Sequence, residues 1–441
     1  MTTSVTNPIP LVYLQTHGCK LNQADTAQLS AQFLDSGFQI TDSIDNADVY
    51  LINTCTVTHV ADKKARQAIR SARRKRPDCK IIVTGCYAER SSKDLQKFSE
   101  IDLVIGNKEK PKIVGLLKEM LGHDLAACTT GSDFSEVLTP RISRTRGMVK
   151  IQEGCDQVCA YCIVPKVRGR ERSIYPEIII KQINDFVDNG YKEIVLTGTQ
   201  LGSYGFEFGD CDLTMLLERI LSETDLQRLR VSSLQPQEIN QKILSIWNDE
   251  RVCPHFHLPL QSGSDAVLER MRRRYTSKDY LTATQMIRSQ IPNNSITADV
   301  IVGFPGETEN DFNDTFDLCN EINFSSLHVF PYSVRPGTSA QYFDLQVAPD
   351  VKAKRMKRLI NLSIDKRRLF RDTLIGKDRL VLWEECSEIG SRLKWSGLTE
   401  DYLRVECFSD NRLHNQISKV KILSLNGEKL LVEILNSSKE S

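Results

Sequence analysis

Gly154-Cys155-Asp156-Gln157-Val158-Cys159-Ala160-Tyr161-Cys162 gathers three cysteines into one loop with the spacing C-x3-C-x2-C. Met148–Gln152, just before it, has the apolar character of a buried strand. Zinc ribbons use paired C-x2-C knuckles, and no second pair follows at ribbon spacing. Disulfide pairing would leave one of the three thiols over. Three close thiolates suit three irons of a four-iron cluster, with the fourth iron left open to bind and reduce a small molecule.

Outward from this loop one pattern repeats. Glu193–Thr197, Leu229–Ser233, His255–Leu260, Ile296–Val302 and Ser326–Phe330 are further strand-like runs, and helical periodicity separates them. The clearest intervening helix starts at Pro176, carries Ile179, Ile180, Ile183 and Val187 on its apolar side and stops at Gly190. Six such units are too few for a closed eight-stranded barrel. They predict a partial (β/α)6 barrel, open at one side, with its site at the carboxyl ends of the strands. Gly303-Phe304-Pro305-Gly306, after the fifth strand, allows either a tight turn or close approach of a ligand.

The first third alternates in the same way. Pro10–Leu14, Val49–Ile52, Ile81–Val83 and Leu103–Ile105 read as strands. A helix capped by Asp25 would turn Leu29, Phe33 and Leu34 inward and end at Gly37. Asp62–Lys75 reads as a second helix, with Arg66, Arg70 and Arg73 on one face. This predicts an open parallel α/β sheet with helices on both faces. Cys19, Cys55 and Cys86 each follow the carboxyl end of a strand, so the sheet brings three thiols to the rim where ligands bind. Thiolates from separate loops suit a soft metal or an iron–sulfur cluster, although three ordinary buried cysteines fit the same pattern. Cys79 precedes its strand and stays outside the set.

Toward the other end, Val351–Arg371 reads as a long basic helix. After Gly376, short apolar runs at Leu380–Trp383, Tyr402–Val405, Val420–Leu423 and Leu430–Ile434 predict a small antiparallel β-barrel. The fold class is therefore multidomain α/β, with expected domains at 1–130, 141–372 and 375–437.

The 441 residues include 58 Lys and Arg, 57 Asp and Glu and 13 Cys. With 40% apolar and 26% charged residues, the chain is neither disordered nor fibrous. It shows no signal-peptide pattern at its start and no apolar run of membrane-spanning length. An odd cysteine count without a secretion signal points to metal or catalytic thiolates in a reducing, cytoplasmic setting. Net charge is only +1, but basic residues cluster at Lys63–Arg76, at Arg141, Arg144, Arg146 and Lys150, at Arg270, Arg272, Arg273 and Arg274, and within Lys352–Arg371. Four separated clusters favour an anionic polymer as partner.

The C-x3-C-x2-C run, with an aromatic before the last cysteine, resembles the radical S-adenosylmethionine (SAM) superfamily. That resemblance implies a 4Fe-4S cluster on Cys155, Cys159 and Cys162 whose unique iron chelates SAM and cleaves it to a 5′-deoxyadenosyl radical. Asn53-Thr54-Cys55-Thr56-Val57-Thr58, His257-Leu258-Pro259-Leu260-Gln261-Ser262-Gly263-Ser264, Asp299-Val300-Ile301-Val302-Gly303-Phe304-Pro305-Gly306-Glu307 and His328-Val329-Phe330-Pro331-Tyr332-Ser333 together resemble the methylthiotransferases, over nearly the whole chain. The resemblance implies a second, auxiliary 4Fe-4S cluster on Cys19, Cys55 and Cys86. His17-Gly18-Cys19-Lys20-Leu21-Asn22-Gln23 and Cys55-Thr56-Val57-Thr58 are most similar to the branch that acts on N6-threonylcarbamoyladenosine beside the tRNA anticodon. His17 and Leu21 depart from that branch's usual residues.

By motif, the resemblance implies SAM contacts. Tyr161 would lie near the adenine, Thr197, Gly198 and Thr199 at the amino group, and Ser232 and Ser233 near the ribose. Gln261 and Arg273 would be polar and carboxylate contacts. A purely structural strand-end role is open for each. Gly397-Leu398-Thr399-Glu400-Asp401-Tyr402 resembles a motif of the TRAM domain, a small RNA-binding barrel, with Leu398 where that family often has Tyr. Candidate RNA contacts are Arg392, Lys394, Trp395 and Arg404. The implied reaction inserts sulfur at C2 of the adenine and methylates it, using two SAM molecules in different ways. It needs an electron donor and an anticodon stem-loop as partners, with no membrane. The alternatives are methylthiolation of isopentenyladenosine in tRNA or of a ribosomal-protein aspartate and, more remotely, an iron–sulfur electron carrier or metal-dependent RNA-binding module. The sequence does not define an oligomeric state.

Overall fold

The computed structural model describes residues 9–122 and 145–435. Arg141 and Arg144 of the second basic stretch and Cys128 lie outside the described residues, as do 436 and 437 at the end of the expected third domain. The described residues form two compact units, one of residues 9–122, 154–156 and 162–170, the other of 145–153, 157–161 and 171–435.

The first unit is built on β1 (Leu11–Thr16), β2 (Gln39–Thr41), β3 (Val49–Thr54), β4 (Lys80–Gly85) and β5 (Leu103–Ile105), in the order β2-β1-β3-β4-β5. All pairings are parallel. Central β3 and β4 are buried along almost their whole length, as their unbroken apolar runs require. Alternate residues feed opposite faces. Val49 and Leu51 pack with Leu29 and Phe33 of α1 (Lys20–Asp35), and Tyr50 and Ile52 with Ala65, Ile69 and Ala72 of α2 (His59–Lys75). Helices α3 (Cys86–Leu95), α4 (Ile113–Leu121) and α5 (Val164–Arg168) complete the unit.

Two helix starts differ from expectation. Asp25 does not cap α1: the helix begins at Lys20 with Cys19 at the N-cap, and Asp25 lies buried inside it. The left-handed turn at Gly18 (φ 108°) sends the chain into the helix early, and the buried carboxylate is offset by Arg168 and Lys110 at 2.8 and 2.7 Å. Helix α2 starts three residues before Asp62, where the Thr58 hydroxyl accepts the Ala61 N–H at 3.2 Å.

The second unit opens with β6 (Arg146–Lys150) and the short antiparallel ribbon β7 (Gln152–Glu153) and β8 (Arg172–Ser173). Then α6 (Pro176–Asp188), β9 (Glu193–Thr197), α7 (Leu213–Glu223), β10 (Arg228–Val231), α8 (Gln241–Leu244), β11 (His255–His257), α9 (Asp265–Arg270), α10 (Ser277–Gln290), β12 (Ser295–Val302), α11 (Glu309–Glu321) and β13 (Ser326–Pro331) follow. Strands β6, β9 and β10 form one parallel sheet and β11, β12 and β13 another. The Leu229–Val252 and Ser233–His257 bridges join β10 to the next sheet. The result is the expected six-stranded open barrel. Gly303-Phe304-Pro305-Gly306 is a turn: Glu307 accepts the Gly303 N–H at 3.0 Å and pairs with Arg355 at 2.7 Å.

Helix α12 (Pro349–Asp372) leads into a closed barrel of β14 (Asp378–Ile389), β15 (Arg392–Thr399), β16 (Arg404–Phe408), β17 (Ile417–Asn426) and β18 (Lys429–Ile434). The expected run Tyr402–Val405 is corrected, because Tyr402 sits in a left-handed turn (φ 70°) before β16. The unanticipated strand β15 carries three of the candidate RNA contacts. Trp395 is not available to stack on a base. It is buried in the barrel core and donates its indole N–H to Ser409 O at 3.2 Å. Lys394 pairs with Glu406 at 2.7 Å, and Arg404 pairs with Glu384. Arg392 lies over the exposed Phe408 ring, 4.7 Å from its centroid.

The TRAM-like motif closes the amino end of the central barrel. Arg230, fully buried, donates to Glu193 Oε1 at 2.9 Å and to the Glu400 carbonyl at 3.0 Å. Arg228 reaches Glu193 Oε2 at 2.6 Å and the Leu398 carbonyl at 3.2 Å. Tyr402 stacks on His255 at 4.5 Å and lies 4.9 Å under Arg230.

Candidate metal-cluster and cofactor site

Cys19 is the N-cap of α1, Cys55 directly follows β3 and Cys86 opens α3. Since β1, β3 and β4 are neighbours, their carboxyl ends bring the three sulfurs within electrostatic reach of one another. Glycine makes this approach possible. A Cβ on Gly18 would stand 2.6 Å from Cys55 Cβ, and one on Gly85 (φ 96°) 2.5 Å from Thr54 N. Asn22 ties the rim together by donating to the His17 and Thr54 carbonyls at 2.7 and 3.1 Å.

Burial pushes the Cys55 thiol up to about 12. Cys19 is exposed; the desolvation of its thiol at the crowded rim raises it, against which Arg168 and the N–H groups of Asn22 and Leu21 act. A metal would displace these protons and stabilise the thiolates. Arg168 and Lys110 share Asp25 beside the thiols, and Arg168 also donates to Asn22. Three convergent soft donors with buried cations nearby fit an iron–sulfur cluster.

In the second triad, the Cys155 N–H donates to the Gly169 carbonyl at 3.2 Å. Cys155 and Cys159 are buried and Cys162 is half-buried. Cys159 Sγ accepts Arg273 Nη1 at 3.3 Å, and Arg273 Nη2 donates to Gln235 Oε1 at 3.0 Å. Ala160 is pinned on both sides, donating to Met271 O at 3.0 Å and accepting from Ala340 N at 2.8 Å. The adjacent Tyr161 meets Phe304 edge-on at 6.5 Å.

Thr197 is buried at the end of β9, followed by Gly198 and Thr199. Gln152 Oε1 accepts the N–H groups of Thr199 and Gln200, both at 2.9 Å. Thr199 Oγ1 and Arg273 Nε are buried without a hydrogen-bond partner among the described residues. Such orphans fit a polar ligand that supplies what the chain withholds. Ser232 is buried at the end of β10, whereas Ser233 is exposed and serves the bridge to His257. Gln261 adopts φ 63° and pairs by its backbone with β12. The structure thus joins Arg273 to Cys159, and it shows the backbones of Ser233 and Gln261 pairing with neighbouring strands.

Sequence reasoning missed Gln152, Gln200, Gln235 and Glu238. Gln200 bridges Gln235 and Glu238, and Glu238 Oε2 accepts the Gln235 N–H at 2.8 Å. Burial lifts the Glu238 carboxyl to about 7. The available signal was positional: Gln200 and Gln235 fall just past strand carboxyl ends.

An open six-stranded parallel barrel whose first strand runs into a C-x3-C-x2-C loop defines the radical SAM class. Residues 149–319 match the Radical SAM superfamily, and residues 11–106 match "Uncharacterized protein family UPF0004". The threonylcarbamoyladenosine tRNA methylthiotransferase MtaB of Bacillus subtilis is 38% identical, over 93% of each chain. Its Thermotoga maritima counterpart is 36% identical over 95% of each. The tRNA-2-methylthio-N(6)-dimethylallyladenosine synthase of Dictyoglomus thermophilum is 34% identical over 95% of this chain and 98% of its own. The chain belongs to the methylthiotransferase family of radical SAM enzymes. Among solved structures, the radical SAM methyltransferase TsrM from Kitasatospora setae aligns with a TM-score of 0.53 at 15% identity, covering 75% of this chain and 77% of that one. At that identity the likeness concerns the fold alone.

Proposed function

We propose that this enzyme converts N6-threonylcarbamoyladenosine beside the anticodon of tRNA to its 2-methylthio derivative, in the cytoplasm. The observation that carries the reading is the end-to-end similarity to threonylcarbamoyladenosine tRNA methylthiotransferases in a chain that retains both cysteine triads. The C2–H bond of adenine offers no handle to a side-chain acid or base. When bound, two 4Fe-4S clusters and SAM supply the one-electron chemistry, the sulfur and the methyl group.

The chain's own residues position and shield. Cys155, Cys159 and Cys162 would hold one cluster, and Cys19, Cys55 and Cys86 the other. Arg273 donates to Cys159, and Gln152 sets the Thr197–Thr199 loop through two backbone N–H groups. Tyr161, Thr197, Gly198, Thr199 with its orphaned hydroxyl, Ser232, Ser233, Gln261 and Arg273 are the candidates for SAM contact. The Arg228–Arg230–Glu193 floor, sealed by Leu398–Tyr402, keeps water from entering the barrel from below.

Exposed Lys63, Lys64, Arg70, Arg74 and Lys75 on α2, and Arg392 with Phe408 on the terminal barrel, would meet RNA. Reversing Lys63, Lys64, Arg74 and Lys75 to Glu should weaken tRNA binding and flatten its dependence on salt, as measured by filter binding across a salt series. The reaction also needs an external reductant. Mass spectrometry of tRNA nucleosides from a strain lacking the gene tests the whole reading. Loss of 2-methylthio-threonylcarbamoyladenosine is expected. Loss of only the isopentenyl counterpart would reassign the substrate.

A further inference from the structure

Strands β11, β12 and β13 place His257, Asp299 and His328 side by side. Asp299 pairs in register with His328, and His257 with Thr297. Ile296, Ala298 and Val300, which alternate with Thr297 and Asp299, pack into the main core, so these polar residues take the opposite, inner face of the sheet. His257 Nε2 lies 3.3 Å from Asp299 Oδ2, and His328 Nδ1 lies 3.1 Å from Asp299 Oδ1. The three ligand atoms all fall within 4.8 Å of one another, and among the described residues no other His, Cys, Asp or Glu set of three is so tight.

The cluster is also preorganised. Thr297 Oγ1 lies 2.9 Å from His257 Nδ1, which engages that nitrogen and directs Nε2 toward Asp299. The same hydroxyl lies 3.1 Å from His255 Nε2, on a ring held by its stack with Tyr402. Histidines that ligate metals are oriented in this way, through their second nitrogen. His257 is mostly covered while half of the His328 side chain is exposed, so one side of the cluster stays open. Two imidazoles and one carboxylate on a single face, with room for further ligands, form the donor set of an open transition-metal site.

We propose that His257, Asp299 and His328 bind one divalent transition-metal ion of the zinc or iron(II) class inside the barrel, separate from both cysteine triads. Its open positions are available to water or to an oxygen of the substrate.

The test uses the full-length protein with both clusters assembled anaerobically, exposed to zinc sulfate and then desalted. About one zinc per chain should remain, and zinc-edge X-ray absorption should show nitrogen and oxygen neighbours without sulfur. Asp299→Asn and His328→Ala should each lose the zinc while keeping cluster iron and circular dichroism. Thr297→Val, which removes only the orienting hydroxyl, should weaken zinc binding about 10–100-fold. Sulfur neighbours at the zinc edge, equal zinc retention by an Asp299→Asn/His328→Ala double variant, or no zinc retention by the unaltered protein would each overturn the proposal.

Discussion

Gly18 holds a left-handed backbone conformation directly against Cys55. Gly18→Ala therefore adds strain of about 1–3 kcal/mol and drives a methyl into the rim of the auxiliary triad. Iron per chain should fall from about eight to about four while the barrel cluster stays reducible, as iron analysis and electron paramagnetic resonance would register. Arg273 places a cation on Cys159. In Arg273→Gln that charge no longer favours the reduced cluster, so its midpoint potential should fall with iron content unchanged. A redox titration that shows no shift would reduce Arg273 to a packing role. The cysteines themselves were readable from the chain, because each follows an apolar run that ends in the sheet. The partner of Cys159 was not, since Arg273 lies more than a hundred residues away and nothing local marks the contact.

At the scale of elements, β9 and β10 carry the ion cluster beneath the barrel. Burial alone would raise the Glu193 carboxyl, but Arg230 and Arg228 outweigh it and hold it at about 2, from an ordinary 4.5. A depressed carboxyl contributes stability above its unfolded value, and loses it as pH falls through the folded one. Acid unfolding followed by circular dichroism should therefore show a stability loss between about pH 4.5 and 2. In Glu193→Gln this step should vanish. At neutral pH that variant should be about 3–5 kcal/mol less stable, since it leaves buried guanidiniums without their counter-ion. Strand positions were legible here from unbroken apolar runs. The long basic helix was legible only as a helix: Arg355 and Lys366 are buried, with Arg355 paired to Glu307, so part of its charge is structural.

Across the whole molecule, Leu398–Tyr402 is a plug. Thr399 and Asp401 are buried, Ser295 donates to the Asp401 carbonyl at 2.6 Å, and Arg379 pairs with Asp401 at 2.9 Å. Truncation after Leu374 should uncover Arg228 and Arg230 and yield a barrel that aggregates or melts at lower temperature in calorimetry. Arg392→Ala should leave melting unchanged. No helix among the described residues is long and apolar enough to cross a membrane. Three architectures in series, and cysteines placed just past strand ends, were determined by the sequence alone, because side-chain periodicity and turn residues act over a few positions. Asp25 inside its helix, Trp395 inside its barrel, the plug under the central barrel and the meeting of His257, Asp299 and His328 were decided only by tertiary structure. Each depends on charges or rings brought together from distant segments, where desolvation and pairing outweigh local preference.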